Sequence, residues 1–199
     1  IPCAGHTTVA LSDNNGFTHT IGCPCGYGAR TNSCSGGTAT CKNKAVCTAC
    51  GEQYGQLGTI HKGMDPATGY CSGGCGTRLA VAMIEKNGKL SYSRSLAAAF
   101  AEVKACVAAD YARITLLDSV TLTEDITVEG GVFDLDMMGK TIDAGEYELI
   151  IEGGKIQMED GTITGKNKGT LRVEGGELTI WRDMILDNHL TASTAICGT

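Results

Sequence analysis

Three copies of one tetrapeptide place the strongest constraint on how this chain can fold. The copies are Val128-Glu-Gly-Gly131, Ile151-Glu-Gly-Gly154 and Val173-Glu-Gly-Gly176, and they start 23 and 22 residues apart. Each copy follows a short run of alternating β-formers. A sequence period near 22 residues is typical of a solenoid, in which each turn stacks on the one before it. The paired glycines are expected to form the corners, where a positive φ would strain a residue with a Cβ.

The apolar residues of these turns are predicted to point inward and to stack into one core. Successive side chains of a strand face opposite sides, so every second position is an inward candidate. The region holds about four such turns. The predicted inward residues are Ile114, Leu116, Val120, Leu122, Ile126, Val128, Phe133, Leu135, Ile142, Leu149, Ile151, Ile156, Met158, Ile163, Leu171, Val173, Leu178, Ile180, Ile185 and Leu186.

An amphipathic helix is predicted just before the first turn. Apolar residues recur every three to four positions from Leu96 to Val107, which is the spacing of a buried helix face. Ser93 or Ser95 can serve as its N-cap, and the helix should end near Ala109. An open solenoid end exposes apolar side chains and unpaired strand edges, so we expect this helix to cover the first turn.

The C-terminal end shows no comparable polar cap. The stretch Met184-Ile-Leu-Asp-Asn188 still has the pattern of a turn, and the sequence stops at residue 199. We therefore expect that the sequence is a fragment of a longer protein, or that another chain covers its last turn. Self-association through that turn is one such arrangement.

Cysteine and charge divide the chain into two parts. Nine of the eleven cysteines lie before residue 76, in a stretch with almost no core-forming pattern. Residues 1–79 carry 5 Lys and Arg against 3 Asp and Glu, whereas residues 80–199 carry 11 against 19. We predict two domains, 1–79 and 80–199. A segment under about 80 residues with few large apolar side chains needs disulfides or a structural metal to stay folded.

The spacing of several cysteines favours a metal site. Cys47 and Cys50 form a Cys-x-x-Cys-Gly turn, and Cys71 and Cys75 form a second close pair. Four thiolates in two short-range pairs suit tetrahedral zinc, and His61 lies between the pairs as an alternative fourth ligand.

A second metal site is predicted further upstream. Its candidate ligands are Cys3, His6, Cys23 and Cys25, with His19 as a competitor. The one-residue spacer containing proline, in Cys23-Pro-Cys25, is unusual for a metal site.

The sequence leaves the grouping of these ligands open. Cys34 and Cys41 remain unassigned, and a set of Cys41, Cys47, Cys50 and His61 is equally allowed. The alternative to metal sites is a framework of disulfide bonds. An oxidising environment outside the cell would favour disulfides if the protein is exported.

Several function classes are disfavoured. The net charge of −6 argues against a nucleic-acid binder, which needs surplus Lys and Arg on one face. No apolar run approaches the ~20 residues of a membrane-spanning helix, so membrane insertion is not expected. Catalytic zinc is disfavoured because His-Glu-x-x-His is absent, and redox catalysis because no βαβ pattern surrounds the Cys-x-x-Cys turn.

Pairs of carboxylates in the second domain make a glycan-cleaving enzyme the main alternative. Asp134 and Asp136 are two residues apart on a predicted strand, so they could share a face, as two catalytic carboxylates would require. We expect no basic residue beside these pairs, and outward charge on a solenoid is ordinary solvation. The candidate pairs are Asp134 with Asp136, Glu159 with Asp160, and Asp183 with Asp187.

The motifs together resemble a known family. The segments "ARITLLDSVTL" (112–122), "VFDLDMMGKTI" (132–142), "DGTITG" (160–165) and "LRVEGGELTI" (171–180) resemble right-handed parallel β-helices of the pectin-lyase-like superfamily. They are more similar still to solenoid modules in large secreted surface proteins of gut bacteria. Such modules often accompany segments similar to "ATCKNKAVCTACGEQYGQLG" (39–58). The resemblance implies a mainly β fold: a small cysteine-rich, zinc-ribbon-like domain followed by a helix-capped, right-handed parallel β-helix.

The resemblance also implies export and a role at the cell surface. We expect a non-catalytic extracellular binding or adhesin module that presents its solenoid surface to a host protein, with an immunoglobulin as one candidate, or to a glycan. Trp181 and Tyr147 are candidates for an exposed contact patch. The alternatives are a fragment of a polysaccharide lyase or hydrolase and a structural spacer between other domains.

Overall fold

The computed structural model describes residue 5, residues 7–166 and 170–187, and the backbone of residues 196–198. The chain divides into two compact units. The first, here called the cysteine-rich unit, comprises Ile1–Gly63 and Cys71–Gly76. The second, the solenoid unit, comprises Met64–Tyr70 and Thr77–Thr199. No helix in the described part of the chain is both long enough and apolar enough to span a membrane.

The cysteine-rich unit contains short antiparallel strands. Strands β1 (Val9–Ser12), β2 (Thr18–Gly22) and β3 (Arg30–Ser33) form one sheet in that order. Strands β4 (Ala45–Val46) and β5 (Gln53–Tyr54) form a separate two-stranded hairpin.

This unit has almost no apolar core. Among its described residues, the buried side chains are those of His19, Ala45, Cys47 and Cys71. Three of these four are potential metal ligands. Large apolar residues of the same unit are exposed instead; Ile60, for example, is 84% exposed. Burial of apolar surface therefore contributes little to the stability of this unit.

The solenoid unit begins with a hairpin and the predicted helix. Strands β6 (Ala82–Lys86) and β7 (Lys89–Ser93) pair antiparallel, and helix α1 (Leu96–Val103) follows them. Ser95 is the N-cap, and its hydroxyl accepts a hydrogen bond from the Ala98 amide.

The helix covers the solenoid core as predicted but is shorter than predicted. Its Phe100 ring packs against Phe133, with the ring centroids 5.8 Å apart. The helix ends at Val103 rather than near Ala109. A separate turn follows it, in which the Asp110 carboxylate accepts a hydrogen bond from the Val107 amide. Val107 is 58% exposed, so it does not extend the buried helix face.

The rest of the unit is a parallel β-solenoid of about three turns, rather than the four predicted. Its short strands form one parallel sheet in the order β10-β12-β14-β17, and β15, β13, β11 and β8 are neighbours in the other sheet. The strands are β8 (Ala112–Leu116), β9 (Val120–Thr121), β10 (Ile126–Val128), β11 (Val132–Asp143), β12 (Leu149–Ile151), β13 (Lys155–Thr164), β14 (Leu171–Val173), β15 (Glu177–Ile180), β16 (Met184–Asp187) and β17 (Ile196–Gly198).

The strand register reproduces the sequence repeat. Ile126 pairs with Leu149, and Leu149 pairs with Leu171, so each turn advances the chain by 22 or 23 residues. In the other sheet, Asp134 pairs with both Arg113 and Gln157. Residues one repeat apart therefore stack directly above one another.

Most of the predicted inward residues do form the core, but two are exposed. Ile180 is 36% exposed although it pairs with the buried Met158, because no described strand stacks on the other side of β15. Ile185 is 60% exposed because it pairs with Thr162, whose neighbour Ile163 is the one that points inward. The prediction that Ile185 points inward is therefore wrong. Successive residues of β16 face opposite sides, and Leu186, which pairs with Ile163, takes the inward position.

The second glycines of the three tetrapeptides form a column of corners. Gly131, Gly154 and Gly176 have φ values of 101°, 89° and 75°. The Gly131 carbonyl accepts a hydrogen bond from the Lys155 amide at 2.8 Å, and the Gly154 carbonyl accepts one from the Glu177 amide at 2.8 Å. The predicted role of these glycines is confirmed, since positive φ and close stacking both exclude a Cβ.

Candidate metal centres

Two groups of four ligand-type side chains converge inside the cysteine-rich unit. In each group the ligand atoms all lie within 4.8 Å of one another. Cluster A consists of His19, Cys34, Cys47 and Cys50, and cluster B consists of Cys41, His61, Cys71 and Cys75.

Two hairpins supply the ligands of cluster A. His19 lies on β2 opposite Asn32 of β3, and Cys34 follows the end of β3. The Cys34 amide donates to the Phe17 carbonyl at 2.7 Å, which holds Cys34 beside the strand that carries His19. The His19 side chain is buried.

The other two ligands of cluster A lie in the turn between β4 and β5. Cys47 directly follows β4, and its amide donates to the Glu52 carbonyl at 2.8 Å. The Gly51 amide donates back to the Cys47 carbonyl at 2.9 Å, and Gly51 has a φ of 77°. This tight turn points the Cys47 and Cys50 thiols toward the same place.

The distances in cluster A match those around a tetrahedral ion. The Nδ1 atom of His19 lies 3.6 Å from the Sγ of Cys34 and 3.6 Å from the Sγ of Cys47. A tetrahedron with metal–sulfur bonds of 2.3 Å has edges of about 3.8 Å. The spacing of His19 from Cys34 and from Cys47 is therefore close to what a bound ion would require.

Three separate segments bring the ligands of cluster B together. Cys41 lies in a turn in which the Thr40 hydroxyl accepts a hydrogen bond from the Asn43 amide at 2.9 Å. The Gly58 amide donates to the Thr40 carbonyl at 2.9 Å, so the segment that leads to His61 runs beside this turn. The Ser72 amide donates to the Gly63 carbonyl at 2.9 Å, which places the Cys71 segment next to both.

Two ligand–ligand distances in cluster B are also close to those around a tetrahedral ion. The Sγ atoms of Cys41 and Cys71 are 3.6 Å apart, and the Sγ of Cys75 lies 3.5 Å from the Nδ1 of His61. The Gly73 amide donates to the Cys71 sulfur at 3.3 Å, as backbone amides do around thiolate ligands.

The thiols of cluster A differ sharply in acidity. The backbone amide of Cys50, and then those of Ser35 and Ala49, donate to the Cys47 sulfur and lower the pKa of Cys47 to about 6. Burial, followed by the neighbouring thiols of Cys47 and Cys50, raises the pKa of Cys34 to about 12. Cys47 therefore forms a thiolate readily, and a divalent ion would be needed to stabilise the thiolate of Cys34.

Cluster B shows the same contrast. The hydrogen bond with Cys75, followed by burial, raises the pKa of Cys41 to about 11. Burial raises the pKa of Cys71, but hydrogen bonds from the Gly73 amide, His61 and Cys41 outweigh it and leave that pKa lowered. Hydrogen bonds with Cys71 and then Cys75 raise the pKa of His61.

The structure groups the predicted ligands differently from the sequence analysis. Cys47 and Cys50 lie in cluster A, whereas Cys71 and Cys75 lie in cluster B together with His61. The four-thiolate set of two close pairs is therefore not brought together. The alternative set of Cys41, Cys47, Cys50 and His61 is also divided between the clusters. Each close pair completes its site with ligands from more distant segments.

The upstream set is described only in part. Cys3 and His6 lie outside the described residues. The Sγ atoms of Cys23 and Cys25 are 3.0 Å apart, in a turn closed by a hydrogen bond from the Gly26 amide to the Cys23 carbonyl. His19, the competitor for this set, lies in cluster A. A metal site at Cys3, His6, Cys23 and Cys25 stays a prediction.

Three of the ligands were not included in the two principal metal sites predicted from the sequence: His19, Cys34 and Cys41. The signal that could have helped to place His19 is the set of β-branched residues around it, Thr18, Thr20 and Ile21, which favours a strand, whereas residues 30–33 carry no such pattern. The hairpin of β2 and β3 brings His19 and Cys34 to one end. No local signal marks Cys41, because its partners lie 20 or more residues away.

The carboxylates of the solenoid unit have basic partners, contrary to the prediction. Glu159 is buried, and its carboxylate pairs with the Arg113 guanidinium and, at 3.3 Å, with the Nε of Arg182. Arg113 also lies 3.5 Å from Asp136. Burial raises the pKa of Asp134, and the nearby positive charge of Arg113 offsets only part of this rise.

Of the other candidate carboxylates, Asp187 is the last residue of β16, whereas Asp160 and Asp183 have a left-handed backbone conformation. Asp160 and Asp183 have φ values of 55° and 54°, a conformation that aspartate tolerates better than most residues. This backbone conformation explains the presence of aspartate at both positions without a catalytic role. Neither belongs to a facing pair of carboxylates on one strand.

Both clusters combine three cysteines with one histidine, which is a donor set for a divalent ion that accepts thiolate and imidazole. The cysteine-rich unit can therefore hold two metal ions with its described residues alone. Comparison of the chain with known protein families, with curated proteins and with solved structures gives no match.

Proposed function

We propose that the chain is a non-catalytic binding module of an extracellular bacterial surface protein. Zinc holds the cysteine-rich unit together, and the solenoid unit presents its outer face to a partner. The observation that carries the proposal is the presence of two compact Cys₃His clusters in a unit that has almost no apolar core among its described residues. Such clusters are typical of structural zinc sites, in which the protein supplies all four ligands.

The composition of the clusters favours zinc over disulfides. Each cluster contains three cysteines, so pairing within a cluster would leave one thiol and one histidine without a role. None of the described cysteines forms a disulfide bond, and the Sγ atoms of Cys41 and Cys71 are 3.6 Å apart. Thiolate and imidazole ligands together suit zinc better than calcium or magnesium, which prefer oxygen.

Elemental analysis tests the metal. We expect two zinc ions per chain, or three if Cys3, His6, Cys23 and Cys25 also bind one. Cys47→Ser and Cys71→Ser should each lower the zinc content, because each removes a buried ligand from a different cluster. The matched control is Cys106→Ala, a buried cysteine of the solenoid unit, which should leave the content unchanged. Absence of zinc together with fewer than two free thiols in the denatured, unreduced chain would contradict the proposal.

The pairing of the carboxylates favours a non-catalytic role. Glycoside cleavage needs two available carboxyl groups, one as acid and one as base or nucleophile. Arg113 pairs with Asp136 and Glu159, and Glu159 is also held by Arg182. The chain is accordingly expected to release no unsaturated or reducing ends from acidic polysaccharides. Release that depends on Asp134 would favour the enzyme alternative.

An exposed aromatic–basic pair is the proposed point of contact with the partner. Trp181 is 54% exposed, and the Arg182 guanidinium lies 5.1 Å from the centre of its ring. Trp and Arg are the residue types most enriched among interface residues that dominate binding energy. Tyr147, the other predicted contact, is 39% exposed. The partner we propose is a host protein, such as an immunoglobulin, or a glycan.

A binding screen against host extracellular proteins and glycans tests this contact. For any partner found, Trp181→Ala should raise the Kd at least tenfold, an effect of about 1.4 kcal/mol or more. Tyr111→Ala is the matched aromatic control, since Tyr111 is a 51% exposed residue of the solenoid unit outside the proposed contact, and it should change the Kd less than threefold. If Trp181→Ala bound the partner as tightly as the parent chain, the contact would have to lie elsewhere. A screen that finds no partner would favour the spacer alternative.

A further inference from the structure

We propose that clusters A and B bind their two ions cooperatively, because their ligands interleave along the chain. The inference rests on the proposed metal binding and concerns how the two sites influence each other. In chain order the ligands belong to clusters A, A, B, A, A, B, B and B. The residues in that order are His19, Cys34, Cys41, Cys47, Cys50, His61, Cys71 and Cys75.

The interleaving places a ligand of each cluster inside a loop that the other cluster closes. An ion in cluster A joins Cys34 to Cys47, and Cys41 of cluster B lies between them. An ion in cluster B joins Cys41 to His61, and the Cys47-x-x-Cys50 turn of cluster A lies between those two. Each ion therefore restricts the chain that carries ligands of the other ion.

The loop between Cys34 and Cys47 has no apolar packing to hold it, since none of residues 35–44 is buried. Besides the Thr40–Asn43 turn, hydrogen bonds from residues outside the loop restrain it. The Ser35 carbonyl accepts from the Thr48 amide at 3.0 Å, the Gly36 carbonyl from the Tyr54 hydroxyl at 2.7 Å and the Thr40 carbonyl from the Gly58 amide at 2.9 Å. Without an ion in cluster A, Cys41 would sample many positions. Binding of an ion to cluster B would then be weakened by the conformational entropy lost when the loop carrying Cys41 becomes ordered.

The resulting coupling is reciprocal. If an ion in cluster A raises the affinity of cluster B, an ion in cluster B raises the affinity of cluster A by the same factor. Couplings between sites are typically about 5- to 150-fold. We expect at least tenfold here.

Zinc titration of the full chain, followed by native mass spectrometry, measures the coupling. Two equal and independent sites would leave about half of the molecules with one ion at half-saturation, whereas tenfold coupling leaves about a quarter. Cys3, His6, Cys23 and Cys25 are replaced together beforehand, so that only the two clusters are counted. A one-ion population at or above half would overturn the proposal.

A pair of variants tests whether loop closure is the cause. Cys34→Ser and His19→Ala each remove one ligand from cluster A, but only Cys34→Ser lengthens the loop around Cys41, because an ion would then join His19 rather than Cys34 to Cys47. Alkylation of Cys41, Cys71 and Cys75 in buffered zinc reports the occupancy of cluster B residue by residue.

The two variants have distinct expected results. Cys34→Ser should weaken zinc binding at cluster B about threefold more than His19→Ala does, because it roughly doubles the length of the loop that an ion in cluster A closes. Equal effects of the two variants, or no effect of either, would overturn the proposal. A parent chain that binds no zinc would instead overturn the proposed function, and two ions bound independently would overturn only the coupling.

Discussion

A chelator that removes the metal is expected to unfold the cysteine-rich unit and to leave the solenoid unit folded. Apart from Ala45, the described buried side chains of the cysteine-rich unit are all ligands: His19, Cys47 and Cys71. The binding free energy of a structural zinc ion is about 10–16 kcal/mol, which exceeds the total stability of most small domains. The solenoid unit has its own apolar core, which no predicted ligand joins.

Hydrogen exchange read by mass spectrometry measures this result. After chelation, amides in residues 7–63 and 71–76 should lose their protection, whereas those in β11 and β13 should keep it. Treatment with a reductant alone is the control, because a disulfide framework predicts the opposite response to the two reagents. Full protection of both units in a sample shown to be free of metal would contradict the prediction.

Gly154→Ala is expected to destabilise the solenoid unit by about 2–5 kcal/mol. A Cβ on this residue would lie 2.3 Å from the Gly131 carbonyl oxygen, which is the acceptor of the Lys155 amide. The positive φ of 89° costs an L-residue about 1–2 kcal/mol, and forcing the two stacked turns apart adds about 1–3 kcal/mol.

Gly145→Ala is the matched control for the backbone cost alone. Gly145 also has a positive φ, of 56°, but a Cβ there would meet no atom within 4 Å. We expect a loss of about 1–2 kcal/mol for Gly145→Ala. The measurement is the free energy of unfolding from urea denaturation followed by far-UV circular dichroism. Equal losses in the two variants would show that close stacking at Gly154 contributes nothing.

The solenoid could be predicted from the sequence because its information is local and repeated. The glycine pair of each tetrapeptide marks a corner, and each run of alternating residues marks a strand. The errors lie where neighbouring turns decide the outcome. Ile185 has the hydrophobicity of an inward residue, but its register with Thr162 turns it to the surface.

The metal ligands were harder to assign, because proximity in sequence is a poor guide to proximity in a unit held by cross-links. The Cys-x-x-Cys turn correctly suggested that Cys47 and Cys50 act together. Their partners come from the β2–β3 hairpin rather than from Cys71 and Cys75. Several groupings satisfy the same spacing rules, and only the path of the chain selects one of them.

The sequence by itself determined the period of the solenoid, the positions of its glycine corners and the kinds of ligand available to a metal. These properties follow from side-chain chemistry and from patterns within one turn. Only the tertiary structure decided how eight ligands divide into two clusters and how Arg113 pairs with Asp136 and Glu159. Both arrangements join residues far apart in the chain, and their distances depend on how hairpins and turns pack against one another.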